Sequence, residues 1–159
     1  AIRFILFRSL IIVVFFPMAK KLESKMAQEK APLESFIDSS KLIYLASPYT
    51  SKSQALTKLR VELVVHAVAG LLKKGAIVFS PIVNSHCVDA YLGTCPELWY
   101  SIDTKYMDRC DELWILMLPG WERSVGIKKE LEYAIQKGMP IRYVFYQDCI
   151  DSDDYPADV

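Results

Sequence analysis

Glu130 and Asp103, on two separate helical segments, have the types and setting to do chemistry together. Paired carboxylates divide the labour of glycosyl transfer. One attacks the anomeric carbon and a second group manages the proton, and the two stand about 5 Å apart when configuration is retained. Glu130 belongs to the stretch Gly120-Trp121-Glu122-Arg123-Ser124-Val125-Gly126-Ile127-Lys128-Lys129-Glu130. An apolar run, Leu113 to Leu118, turns there through glycine into a helix start. Such a turn presents free backbone N–H groups to an anion, with the Ser124 hydroxyl beside them.

Helical geometry sorts the acids. Ile127, Leu131, Ala134 and Ile135 define the expected buried stripe of the last long helix. Glu130 falls about 80° from its centre and Glu132 about 120°. Glu130 is therefore a boundary residue and Glu132 a solvated one. The plain alternative for Glu130 is an acid favoured by the helix dipole. In the preceding helix Leu98, Trp99, Ile102, Tyr106 and Cys110 form the apolar face. Asp103 lies about 70° from its centre, between Trp99 and Tyr106. A carboxylate bordered by aromatics is costly unless paired or hydrogen-bonded, so a cap or an ion pair is its plain alternative.

The elements that must position these groups follow from periodicity. Leu42–Ala46, Ala76–Ser80, Leu113–Leu118 and Ile141–Tyr146 are short, continuously apolar runs, as strands buried on both faces require. Gln54–Lys74 carries an apolar stripe at helical spacing and stops at Gly75. Ile82–Gly93 reads as a loop or broken helix. Thr94-x-x-Glu97 is a capping-box pattern, opening a helix to about Cys110. The last helix runs from about Ser124 to Lys137. Alternating strands and helices predict a small doubly wound parallel sheet in three α/β/α layers. Ligands of such sheets bind at the carboxyl ends of the strands. The loops at Ser47–Ser53, Pro81–Gly93 and Pro119–Ser124 are thus the ones that matter.

Those loops carry the other candidates. Ser47 and Tyr49 offer hydroxyls to sugar or phosphate, or serve the turn. His86 can donate to a ligand or be incidental, and His66 within the long helix is structural. Trp121 can stack on a base or cover the helix start. Gly126, beside Ser124 at the helix start, is counted with the substrate-binding candidates. The sequence contains no P-loop, dinucleotide fingerprint, nucleophile elbow or metalloprotease motif.

The 159 residues suffice for one domain with a core. Lys+Arg and Asp+Glu both number 19, so a nucleic-acid polymer is not the expected partner. Cys87, Cys95, Cys110 and Cys149 have neither C-x-x-C nor zinc-site spacing. No metal is expected, and reduced cytoplasmic thiols are. Residues 1–40 are read as an extension and linker with one short helix at most, 41–147 as the domain, and 148–159 as a frayed acidic tail. The run from Leu10 to Met18 is shorter than the ~20 residues a bilayer requires. It is read as an upstream extension, because Met18 and Met26 both precede ordinary starts. A membrane anchor is the lesser reading.

Ile43-Tyr44-Leu45-Ala46-Ser47-Pro48-Tyr49, Phe79-Ser80-Pro81, Asp111-Glu112-Leu113-Trp114 and Ser124-x-Gly126-x-x-x-Glu130-x-x-x-Ala134 together resemble the nucleoside 2-deoxyribosyltransferase superfamily. The Pro119-Gly120-Trp121 turn and the Ser85-His86 loop resemble an uncharacterised bacterial and phage branch of it. The resemblance spans roughly residues 41–146. It implies that Glu130 is the nucleophile and that Asp103, eight positions before Asp111, is the second acid. It implies phosphate binding at Ser124 in the branch that hydrolyses 5′-monophosphates. It further implies a nucleoside or nucleotide as the small-molecule partner, no cofactor, and a homo-oligomer. Lys128 and Lys129, where the family often has small or polar residues, would attract phosphate or remodel the pocket. A non-catalytic nucleotide-binding module and a mobile-element accessory protein are the competing readings.

Overall fold

The computed structural model describes residues 31–92 and 95–151. The chain divides into two compact units, Ala1–Phe36 and Ile37–Val159. In the first, the described residues form one 3-10 turn, Leu33–Phe36. The expectations for residues 1–17, like that for the Thr94 capping box, lie outside the described residues.

In the second unit the order is β1 (Leu42–Ala46), α1 (Gln54–Lys73), β2 (Ile77–Phe79), α2 (Pro81–Leu92), α3 (Pro96–Met107), β3 (Glu112–Leu116), α4 (Val125–Lys137), β4 (Ile141–Val144) and α5 (Tyr146–Cys149). The four strands form one sheet in the order β2-β1-β3-β4, every pairing parallel. This is a small doubly wound α/β fold. The chain leaves β1 for β2 on one side and then crosses to β3 on the other. The reversal between β1 and β3 is the topological switch point, where such sheets leave a crevice.

The central strands are the most buried. Ile43 through Ala46 and Leu113 through Leu116 are at most 1% exposed. Successive side chains alternate between the two helical layers. One layer's core gathers Tyr44, Ala46, Leu113 and Ile115 with Met107, Ile127 and Ala134. At the amino ends of the strands, Asp111 Oδ2 accepts the Leu42 N–H at 2.7 Å. Glu112 takes the Lys41 ammonium at 2.6 Å and the Trp114 indole N–H at 2.9 Å. Within the Asp111-Glu112-Leu113-Trp114 motif, the two acids thus fasten the end of the sheet away from the crevice.

Three expectations are corrected. Residues after β2 form a continuous helix, α2, and not a loop. Pro81 sits in its first turn, where a missing N–H costs nothing, and the Ser80 hydroxyl accepts the Val83 N–H at 3.4 Å. Apolar residues lie around α2 on several sides, with Val83, Val88, Tyr91 and Leu92 all exposed, so no stripe announces it. The chain beyond residue 147 is not frayed at once. Tyr146–Cys149 is helical, Cys149 is wholly buried, and its carbonyl lies against Gly70 of α1. Finally, α4 is rotated from its expected setting. Ile135 is 67% exposed, and Glu130 takes the inward position at 8%. Among the described residues no helix is long and apolar enough to cross a membrane.

Candidate functional site

The segments after β1 and β3 converge on the switch point with residues of α2, α3 and α4. A buried arginine that the sequence reading missed joins the two segments. Arg60 of α1 donates to the carbonyls of Thr50 (2.8 Å), Tyr49 (3.4 Å) and Pro119 (2.8 Å), tying the segment after β1 to the segment after β3. It lies beside the expected stripe of α1 and reads there as an ordinary surface cation. Gly120 completes the join. Its φ of +91° favours glycine, and a Cβ there would sit 2.8 Å from Arg60 Nη2. Ser124 then caps α4, its Oγ accepting the Ile127 N–H at 3.4 Å.

The result is a cleft of about 160 Å³ that holds most of the expected site residues: Ser47, Tyr49, His86, Asp103, Ser124, Gly126 and Glu130. A more apolar chamber of about 350 Å³ adjoins it, adding Tyr100, Val125 and Lys129 while sharing Asp103 and Glu130. Trp121 does not line either space. Its ring packs at 5.4 Å from that of Tyr143 and against the core, so its work is to cover the helix start. His66 is exposed on α1 and plays no part in the cleft. Lys129 is at the chamber with its ammonium 5.4 Å from the Tyr100 ring centre, whereas Lys128 is exposed elsewhere.

Glu130 is the most constrained group. The Tyr44 hydroxyl, on the middle of β1, donates to Glu130 Oε1 at 2.8 Å inside the protein. Burial pushes the Glu130 carboxyl up to about 7; the Tyr44 hydrogen bond opposes this and the Asp103 charge adds to it. Burial alone raises Asp103 to about 6. The Asp103 charge thus bears on Glu130, and both acids change protonation near neutrality, the range in which carboxyl groups exchange protons usefully. Ser47 adds an independent sign of a ligand. It is 7% exposed, and its buried hydroxyl has no hydrogen-bond partner among the described residues. An orphaned buried hydroxyl costs stability unless something else meets it.

Tyr44, Asp89 and Trp99 are site residues the sequence reading did not assign. Tyr44 was read as a strand residue, and only the alternation of β1 hints that its side chain points toward the α4 layer. Trp99 was placed on an apolar helix face, yet its indole N–H donates to Asp89 Oδ1 at 2.9 Å at the wall of the cleft.

Tyr44→Phe isolates one part of this electrostatics. Removing the donor that stabilises the carboxylate raises the Glu130 carboxyl further, by about one unit for a charged hydrogen bond. The check is a carbon-detected NMR titration of the Glu130 side chain. A midpoint unmoved or lowered would show that the hydrogen bond does not set it.

The fold and cleft define a small doubly wound α/β protein with paired acids at its switch point. Residues 41–146 match the model of the family described as a domain of unknown function (DUF1937), and the chain belongs to that family. Comparison with curated proteins returns no match.

Proposed function

We propose that the protein breaks or transfers at the N-glycosidic bond of a nucleoside or its 5′-monophosphate. The observation that supports this best is the meeting of Glu130 and Asp103 in one cleft, two sequence-distant carboxyls raised to about 7 and about 6. The resemblance to nucleoside 2-deoxyribosyltransferases belongs to this proposal too, as does a homo-oligomeric state. The two carboxyls share one proton; in the reactive form Asp103 holds it, and Glu130, ionised, attacks C1′ with the oxygen that Tyr44 leaves free. The C1′–N bond breaks, and Asp103 delivers its proton to the departing base. Water, or the nitrogen of a second base, then attacks C1′, and Asp103 takes back the proton it gave as the Glu130–sugar ester opens. Ser47 and Ser124 contribute hydroxyls to sugar or phosphate, and the α4 N-terminus suits an anion.

The test is chromatography of free base released from a panel of deoxynucleosides and their monophosphates, with and without an acceptor base. Release by the wild type is expected. So is a loss of at least tenfold in Gly126→Leu with the melting temperature kept within a few degrees. A Cβ at Gly126 meets nothing closer than Ser124 Oγ at 3.8 Å, and Gly126 lines the cleft, so the position accepts a side chain there. If no member of the panel yields free base, the reading is wrong.

A further inference from the structure

Asp89 has no part in the chemistry just described, yet its carboxylate is held at the cleft wall by side chains from other elements. It lies on α2 and lines both the cleft and the adjoining chamber. The Trp99 indole N–H holds Oδ1 at 2.9 Å from α3. The Tyr49 hydroxyl reaches Oδ2 at 3.4 Å from the segment after β1, and that hydroxyl is itself 2.9 Å from His86 Nδ1. Two other parts of the chain thus fix one carboxylate of α2. Among the described residues no ion pair engages it.

A carboxylate has about four acceptor directions, two on each oxygen. Trp99 takes one, and Tyr49, whose single proton reaches Asp89 when His86 carries its own on Nδ1, takes a second. That leaves acceptor capacity on each oxygen of a carboxylate that lines the cleft. Acceptors on both oxygens of one carboxylate match a ligand edge that carries two adjacent N–H donors. They repel an edge on which an acceptor flanks the donor.

Resting on the N-glycosidic reading above, we propose that Asp89 selects the base, and that the base selected is one with neighbouring N–H donors, as on the N1–H and 2-amino edge of guanine. Among the common bases this edge stands apart. Adenine and cytosine place a ring nitrogen acceptor beside the amino group, and thymine flanks its single N–H with two carbonyls. Each of those would set a lone pair against one Asp89 oxygen. Asp89 is a specificity residue in this assignment and takes no part in proton transfer.

Deoxyguanosine and deoxyinosine provide the sharpest comparison, because they differ only in the 2-amino group. Calorimetric titration of the full-length chain is expected to show deoxyguanosine binding at least tenfold more tightly than deoxyinosine, and thymidine more weakly than either. In Asp89→Asn, which keeps the shape but exchanges one acceptor for a donor, the ratio is expected to fall to within about twofold. Trp99→Phe, which loosens the carboxylate without altering it, is expected to give an intermediate ratio. Equal binding of the two purine nucleosides by the wild type overturns the assignment, as does a preference that survives in Asp89→Asn. Chromatography of the same mixtures separates this from the parent reading. Selective binding with no free base keeps the Asp89 assignment and removes glycosidic cleavage. Cleavage of every nucleoside without preference does the reverse.

Discussion

Glu130→Gln is expected to abolish base release, by about 1,000-fold or more, and at the same time to make the folded protein more stable above neutral pH. The first effect follows from the proposed chemistry, since an amide does not attack C1′. The second follows from burial alone. The folded-state Glu130 carboxyl is raised to about 7 from the ordinary 4.5, chiefly by desolvation. Because the folded protein favours the protonated acid, its contribution is complete below about pH 4.5. It is lost as pH climbs through about 7. The shift corresponds to about 3 kcal/mol. Asp103, raised by burial to about 6, acts in the same direction between about pH 4 and 6. The acids with lowered values, Asp38, Asp108, Glu112 and Asp151, act in the opposite sense, but only as pH falls below their ordinary range. Between pH 5 and 8 the wild type should therefore lose stability to urea as pH rises. Glu130→Gln should flatten most of that slope. A mutant whose pH dependence matches the wild type would mean that Glu130 is solvated. Gain of stability with loss of turnover is the expected signature of a strained functional group.

Gly70→Ala is expected to destabilise the domain by about 2 kcal/mol, against the local preference of a helix for alanine. Gly70 lies in the interior of α1, where that preference is worth about 1 kcal/mol. A Cβ there would stand 2.1 Å from the Cys149 carbonyl oxygen and 3.0 Å from Ile150 Cα. Both are backbone atoms, so relief requires α5 to move as a unit and uncover Cys149 and Ile150, which are 0% and 5% exposed. Overpacking of this kind costs about 1–3 kcal/mol, and a backbone contact lies at the upper end. Urea denaturation measures the loss. The cleft is built by other segments, so ligand affinity per folded molecule should be unchanged. A variant as stable as the wild type would mean that α5 does not dock on α1.

These two residues show how far local pattern reaches. Gly70 falls within the apolar stripe of Gln54–Lys74, a local pattern that is silent about what lies on it. The close approach of α5 comes from a segment about 80 residues away that composition marks as acidic and polar. Glu130 was placed at the edge of its stripe, whereas the folded helix turns it inward and leaves Ile135 outside. A helical wheel scores a carboxylate as polar and pushes it toward water. It takes no account of the Tyr44 hydroxyl on β1 that makes the inward position tolerable. Asp103 and Trp99 shift in the same way, toward the cleft, while Leu98 and Tyr106 from the expected apolar face are 39% and 41% exposed.

By itself the sequence determined the four strands, their parallel arrangement, the glycine turn that follows β3 and the edge of the sheet at which the cleft opens. Each of these rests on forces that act over a few residues: hydrophobic period, proline and glycine backbone limits, and the hand of the crossover. It also marked Glu130 and Asp103 as the acids to watch. Tertiary structure alone decided that both face one cleft, that Arg60 clasps the two loops beside it, that Trp121 packs on Tyr143 outside it, and that Asp89 is held by Trp99 and Tyr49 within it. Those outcomes depend on hydrogen bonds and contacts between segments far apart in the chain. Such contacts set the rotation of a helix about its own axis, and local periodicity leaves that rotation open by the few tens of degrees that separate a surface acid from a buried one.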